Sequence, residues 1–114
     1  MSTSRPGFEL SAAQAKDIAA AVSRIPGVAR LDGGRFGEVS VLFPGQRVTG
    51  LRRPDPRDDT HLQIYIALDT SAGVPIGTLA PSIRAAALDT CPQLRRVDVV
   101  FADAVASNNP RASI

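Results

Sequence analysis

Three Pro or Gly pairs in close succession constrain this chain most: Pro26-Gly27, Gly33-Gly34 and Pro44-Gly45. Proline lacks a backbone N–H and glycine adopts positive φ freely, so each pair ends a regular element or reverses the chain. Pro26-Gly27 closes whatever helix precedes it, and short strands must fill residues 28–31 and 38–43. In the second of these, Val39, Val41 and Phe43 alternate with Glu38, Ser40 and Leu42, the period of a strand with one buried face.

Upstream, Ser11-Ala12-Ala13-Gln14 fits a capping box, with a Ser hydroxyl for the N3 amide and a Gln side chain reaching back. Ala15, Ile18, Ala19, Val22 and Ile25 then recur at helical spacing, which predicts a helix running to the Pro26 stop. Downstream a third strand is expected over 48–53. The turn over 54–60 follows, because its two prolines and three aspartates cannot sit in a paired strand. The strongest strand is 61–69, where Leu62, Ile64, Ile66 and Leu68 oppose His61, Gln63, Tyr65 and Ala67. These four apolar residues should face the helices at the centre of the core.

A second helix is predicted over 78–90, capped by Thr78, with Pro81 in its first turn and Pro92 beyond its end. Leu79, Ile83, Ala86 and Ala87 supply its buried stripe. A last strand is expected over 96–104, with Val97, Val99 and Phe101 on one face. The order α-β-β-(β)-β-α-β predicts an α+β fold, two helices packed on one face of a small, mostly antiparallel sheet. Residues 10–105 form the single domain that a chain of 114 residues can support. Residues 1–9 and 106–114, without periodicity, read as flexible tails.

The turn and core residues also carry a likeness. A helix closing on Pro26-Gly27-Val28, the run Gly33-Gly34-Arg35-Phe36-Gly37-Glu38-Val39, then Pro44-Gly45, and Val74-Pro75-Ile76 before a second helix together resemble the alkaline shock protein family. The Gly-Gly-Arg-Phe-Gly-Glu-Val wording is close to the short branch of these Gls-type envelope stress response proteins in high-GC Gram-positive bacteria. The resemblance implies a non-catalytic, cytosolic protein that self-associates beneath the cell membrane, held there by a small membrane-anchored partner. The matching residues Pro26, Gly27, Gly34, Gly37, Pro44 and Gly45 are structural turn positions. Relatives read Pro-Ile-Pro-Glu where this chain has Pro75-Ile76-Gly77-Thr78, and Pro81 stands where a charged helix former is usual.

Composition narrows the function further. The formal charge is +2, too small an excess to argue for a polyanion partner by itself. Four Phe, one Tyr and no Trp leave few platforms for stacking bases. No window approaches the roughly 18 apolar residues of a membrane span, so no direct membrane insertion is expected. The lone Cys91 fits a reducing compartment, and a cytoplasmic location peripheral to the inner face of the membrane follows from the resemblance.

Candidate sites are few. Arg30, Arg35, Arg47, Arg52 and Arg53 could form a basic patch that forks onto phosphates or carboxylates, although Asp55, Asp58 and Asp59 offset it. Gly34-Arg35-Phe36-Gly37 spells the Gly-x-x-Gly of KH domains, but that chemistry needs flanking helices and this run lies between strands. A hairpin turn with positive φ at Gly34 or Gly37 is the plainer reading. Asp58, Asp59 and His61 are too few and too loosely placed for a metal ion. Cys91, beside a helix C-terminus, is disfavoured as a thiolate and reads as a small core or surface residue. No nucleophile elbow or P-loop is present, so neither catalysis nor a cofactor is expected. The expectation is a scaffold that associates through an edge strand over 48–53 with the 54–60 turn beside it. Its rival is a small KH-like nucleic acid binding module using the Arg-rich face.

Overall fold

The structure, a computed structural model, describes residues 7–106. Helix α1 (Ala12–Ser23) begins at the expected capping box: the Ser11 hydroxyl accepts the Gln14 N–H at 3.0 Å, and Gln14 Oε1 accepts the Ser11 N–H at 3.0 Å. Ala15, Ile18 and Val22 form its buried stripe. Strands β1 (Val28–Leu31), β2 (Ser40–Phe43), β3 (Gln46–Thr49), β4 (Leu51–Arg52) and β5 (His61–Asp69) follow, then α2 (Ile76–Thr90) and β6 (Arg96–Val105). The molecule is an α+β fold, with both helices contributing to one core against the sheet.

Strand β5 organises everything else. Its inward residues Leu62, Ile64 and Ile66 are fully buried, and Leu68, half-buried, packs on the same core. One edge of β5 is covered along its length by β6; the other is shared end to end by β1 and β4. Three of the four strand pairings are antiparallel. The β5–β6 pairing is parallel, as a crossover through α2 allows.

The expected strand over 48–53 is two strands. Gly50 stands between them at φ +88°, and a Cβ there would lie 2.5 Å from the Leu31 Cβ. The chain therefore switches sheets at Gly50: β3 pairs with β2 in a hairpin, while β4 pairs with β5. Val41 and Val48 stand opposite each other and turn inward to the core; Leu42 and Arg47, also opposite, turn outward. Gly45 turns the hairpin at φ +76° after Pro44.

Helix α2 also starts earlier than expected. Pro75, at φ −62°, is the N-cap, and the Thr78 hydroxyl donates to the Pro75 carbonyl instead of capping the helix. Pro81 thus lies inside the helix and cannot donate to the carbonyl of Gly77, an exposed residue whose carbonyl water can reach. Leu79, Ile83 and Ala87 are buried, whereas Ala86 is only half-buried. Phe8, within the expected N-terminal tail, packs against the core, and the buried Leu10 that follows donates its N–H to Asp59 at 2.7 Å. Expected tail residues 1–6 and 107–114 lie outside the described residues.

Candidate interaction surface

Helices cover one face of the sheet, so the surface available to a partner is the opposite face together with the hairpin. Every second residue of β2 faces out, which puts Ser40 and Leu42 beside Arg52 and Arg53 in a groove of about 260 Å³ that Glu38 also lines. A larger groove of about 420 Å³ adjoins it, lined by Phe8, Leu42, Phe43, Arg53, Pro56 and Arg57. Leu42 belongs to both and is 68% exposed. Arg47 faces it across the hairpin. Arg53 donates to one oxygen of Asp59 at 3.0 Å while the other accepts the Leu10 N–H, so Asp59 fastens the N-terminal segment to the 54–60 turn and Arg53 holds that carboxylate in place. Among the described residues, Arg47 and Arg52 have no ion-pair partner.

The five candidate arginines do not form one patch. Arg30 and Arg35 line a separate groove of about 360 Å³ with Asp32 and Asp103. Arg30 is committed to those carboxylates, 3.7 Å from Asp32 and 3.2 Å from Asp103. Asp103 and Arg30 flank Ala67 in register from opposite sides, so their side chains meet across its methyl group, and Ala67 is fully buried beneath them. Both neighbouring strands carry a bulge beside Ala67, at Ala29 and at Ala102, which puts the long Arg30 side chain and the short Asp103 side chain on the same face.

Asp58, Asp59 and His61 diverge. Asp58 accepts from the Thr60 hydroxyl and amide, which hold its carboxyl below the usual aspartate range. Asp59 turns to Leu10 and Arg53, while His61 Nε2 lies 2.8 Å from Asp98 Oδ2. Asp98 is held below its ordinary range first by this imidazole and then by Arg96, whose Nε is 3.2 Å away. Cys91 is buried at the end of α2, and desolvation pushes its thiol upward, away from nucleophile chemistry. The Gly-x-x-Gly run lies between β1 and β2 with Gly34 at φ +81° and Gly37 at +75°, and no helix flanks it.

Comparison with known proteins gives no identity. No protein-family model, curated protein or solved structure matches this chain. The alkaline shock likeness rests on the turn and core residues quoted for it. Among the described residues, no helix is long and apolar enough to cross a membrane.

Sequence reasoning placed Leu42 correctly on the outer phase of its strand, and a leucine there is the signal for the groove. It missed Phe36, which is 86% exposed. A large apolar residue between two glycines in a loop is the feature that could have found it. It also missed Arg57, since nothing local says which side of a turn faces a hairpin.

Proposed function

We propose that the chain is a non-catalytic scaffold of the envelope stress response type that associates with itself or with a membrane-anchored partner through the hairpin grooves. The observation that carries this reading is Leu42, an aliphatic side chain left open between two grooves and surrounded by Arg47, Arg52 and Arg53. An apolar anchor ringed by charge is the pattern of a selective interface, in which the apolar part supplies affinity and the charges supply steering and register. The short β4 edge beside it adds few free backbone groups, so side chains rather than strand addition carry this contact.

Light scattering over a concentration series tests the reading on the parent and on Arg47→Glu/Arg52→Glu. These two arginines are chosen because neither makes an ion pair that the fold uses, whereas Arg53 does. The parent should gain mass with concentration and the variant should remain monomeric. A parent that is monomeric throughout removes self-association; equal association of both proteins moves the interface elsewhere.

A further inference from the structure

Residues 33–53, the hairpin lobe together with β4 and Arg53 at its base, differ in composition from the rest of the chain. They carry Arg35, Arg47, Arg52 and Arg53 against the single acid Glu38, while the remaining sequence holds more acidic than basic residues. The excess positive charge of the protein is therefore located in this lobe. Among the described residues, the two most exposed large apolar side chains, Phe36 at 86% and Leu42 at 68%, are there as well.

The lobe presents these groups in a defined way. Phe36 sits at a loop tip between Gly34 and Gly37, both with positive φ, a tight path that residues with a Cβ rarely follow. Glu38 folds back so that its Oε1 accepts the Phe36 N–H at 2.9 Å, and the hydrogen bond from its own backbone first, then that from Phe36, hold its carboxyl below the usual range. The one acid of the lobe thus braces the tip. Arg35, Arg47 and Arg52 have no ion-pair partner among the described residues.

We propose that this lobe docks directly on an anionic lipid surface at two points, the loop tip with Phe36 beside Arg35 and the hairpin with Leu42 beside Arg47 and Arg52, the apolar side chains entering the boundary between headgroups and acyl chains and the arginines meeting the headgroup phosphates. Isolated apolar side chains beside unpaired cations suit a bilayer interface, which accepts each one separately and draws basic groups by its surface potential. A nucleic acid would use the same arginines but has no use for an aliphatic Leu42, since a leucine offers no face for stacking. The contact is peripheral and needs no spanning segment. It shares Leu42, Arg47 and Arg52 with the surface proposed for self-association, and Phe36, which lines neither hairpin groove, is the residue that tells the two contacts apart.

The test is co-sedimentation of the full chain with vesicles of phosphatidylcholine, with and without phosphatidylglycerol. Binding is expected only to the anionic vesicles, falling as salt is raised. Each arginine changed to Gln among Arg35, Arg47 and Arg52 should weaken it about fivefold. Phe36→Ser should weaken it about tenfold or more, with an unchanged thermal melt because the side chain is already in solvent. Light scattering on Phe36→Ser separates the two readings, since vesicle binding should be lost while self-association is kept. Absence of binding to anionic vesicles overturns the proposal. So does binding that Phe36→Ser leaves intact, or binding equally strong to a labelled RNA and equally insensitive to that substitution.

Discussion

Ala67 shows how far one methyl group can determine its surroundings. It lies on the outer face of the sheet, yet it is fully buried because Arg30 and Asp103 meet over it at 3.2 Å. Ala67→Val would lift that pair apart, and overpacking of this kind costs roughly 1–3 kcal/mol; a denaturant melt should show the loss. The exposed ion pair itself contributes little, so Asp103→Ala should cost less than Ala67→Val. Asp98 gives the protein an acid-sensitive link. Its folded-state pKa is depressed by His61 and then by Arg96. The stability it contributes is therefore present above the unfolded-state value and is lost as pH falls through the folded-state value. Between about pH 5 and pH 2, Asp98→Asn should lose less stability than the parent, measured by melts across that range. Neither contact was legible in the sequence. Arg30 with Asp103, and His61 with Asp98, join residues far apart in the chain, and which ones meet depends on strand register and bulges that no local pattern encodes.

At the scale of elements, sequence and structure agree where periodicity is strong and diverge where one residue changes the path. The capping box at Ser11, the alternation in β5 and the Pro44-Gly45 turn are local chemistry, and each appears where its residues put it. The segment over 48–53 reads as one strand because Val48 and Leu51 are apolar and a single glycine is tolerated by pattern. In space, the positive φ of Gly50 and its approach to Leu31 make it the junction between two sheets. Gly50→Ala should consequently cost roughly 2–4 kcal/mol, from the left-handed backbone penalty together with the clash at Leu31. Gly45→Ala, where a Cβ meets nothing within 4 Å, should cost only the backbone part. Paired melts of the two variants separate the contributions. Helix α2 diverges for a related reason: Pro75 supplies a helix-ready φ at the N-cap, and this prevails over the hydroxyl of Thr78.

For the whole molecule, the core is organised around the middle of β5. Ile64 is fully buried among residues from both helices and the flanking strands, so Ile64→Ala should cost about 2–5 kcal/mol in an equilibrium unfolding experiment. A loss under about 0.5 kcal/mol would place it on the surface instead. The layout also has a consequence for how the hairpin lobe relates to its host. Asp32 donates its N–H to the Tyr65 carbonyl at 2.8 Å, and the Tyr65 N–H donates to the Gly50 carbonyl at 2.8 Å. In an ordinary antiparallel ladder a single residue opposite Tyr65 would make both bonds. Here the two roles are divided, and everything between Asp32 and Gly50 emerges through that one position of the edge. The lobe thus leaves the edge at a single position, its base braced by the Gly50 N–H on Val39 and the Val39 N–H on Gly33, each at 2.9 Å, while Val41 and Val48 return its inner face to the common core.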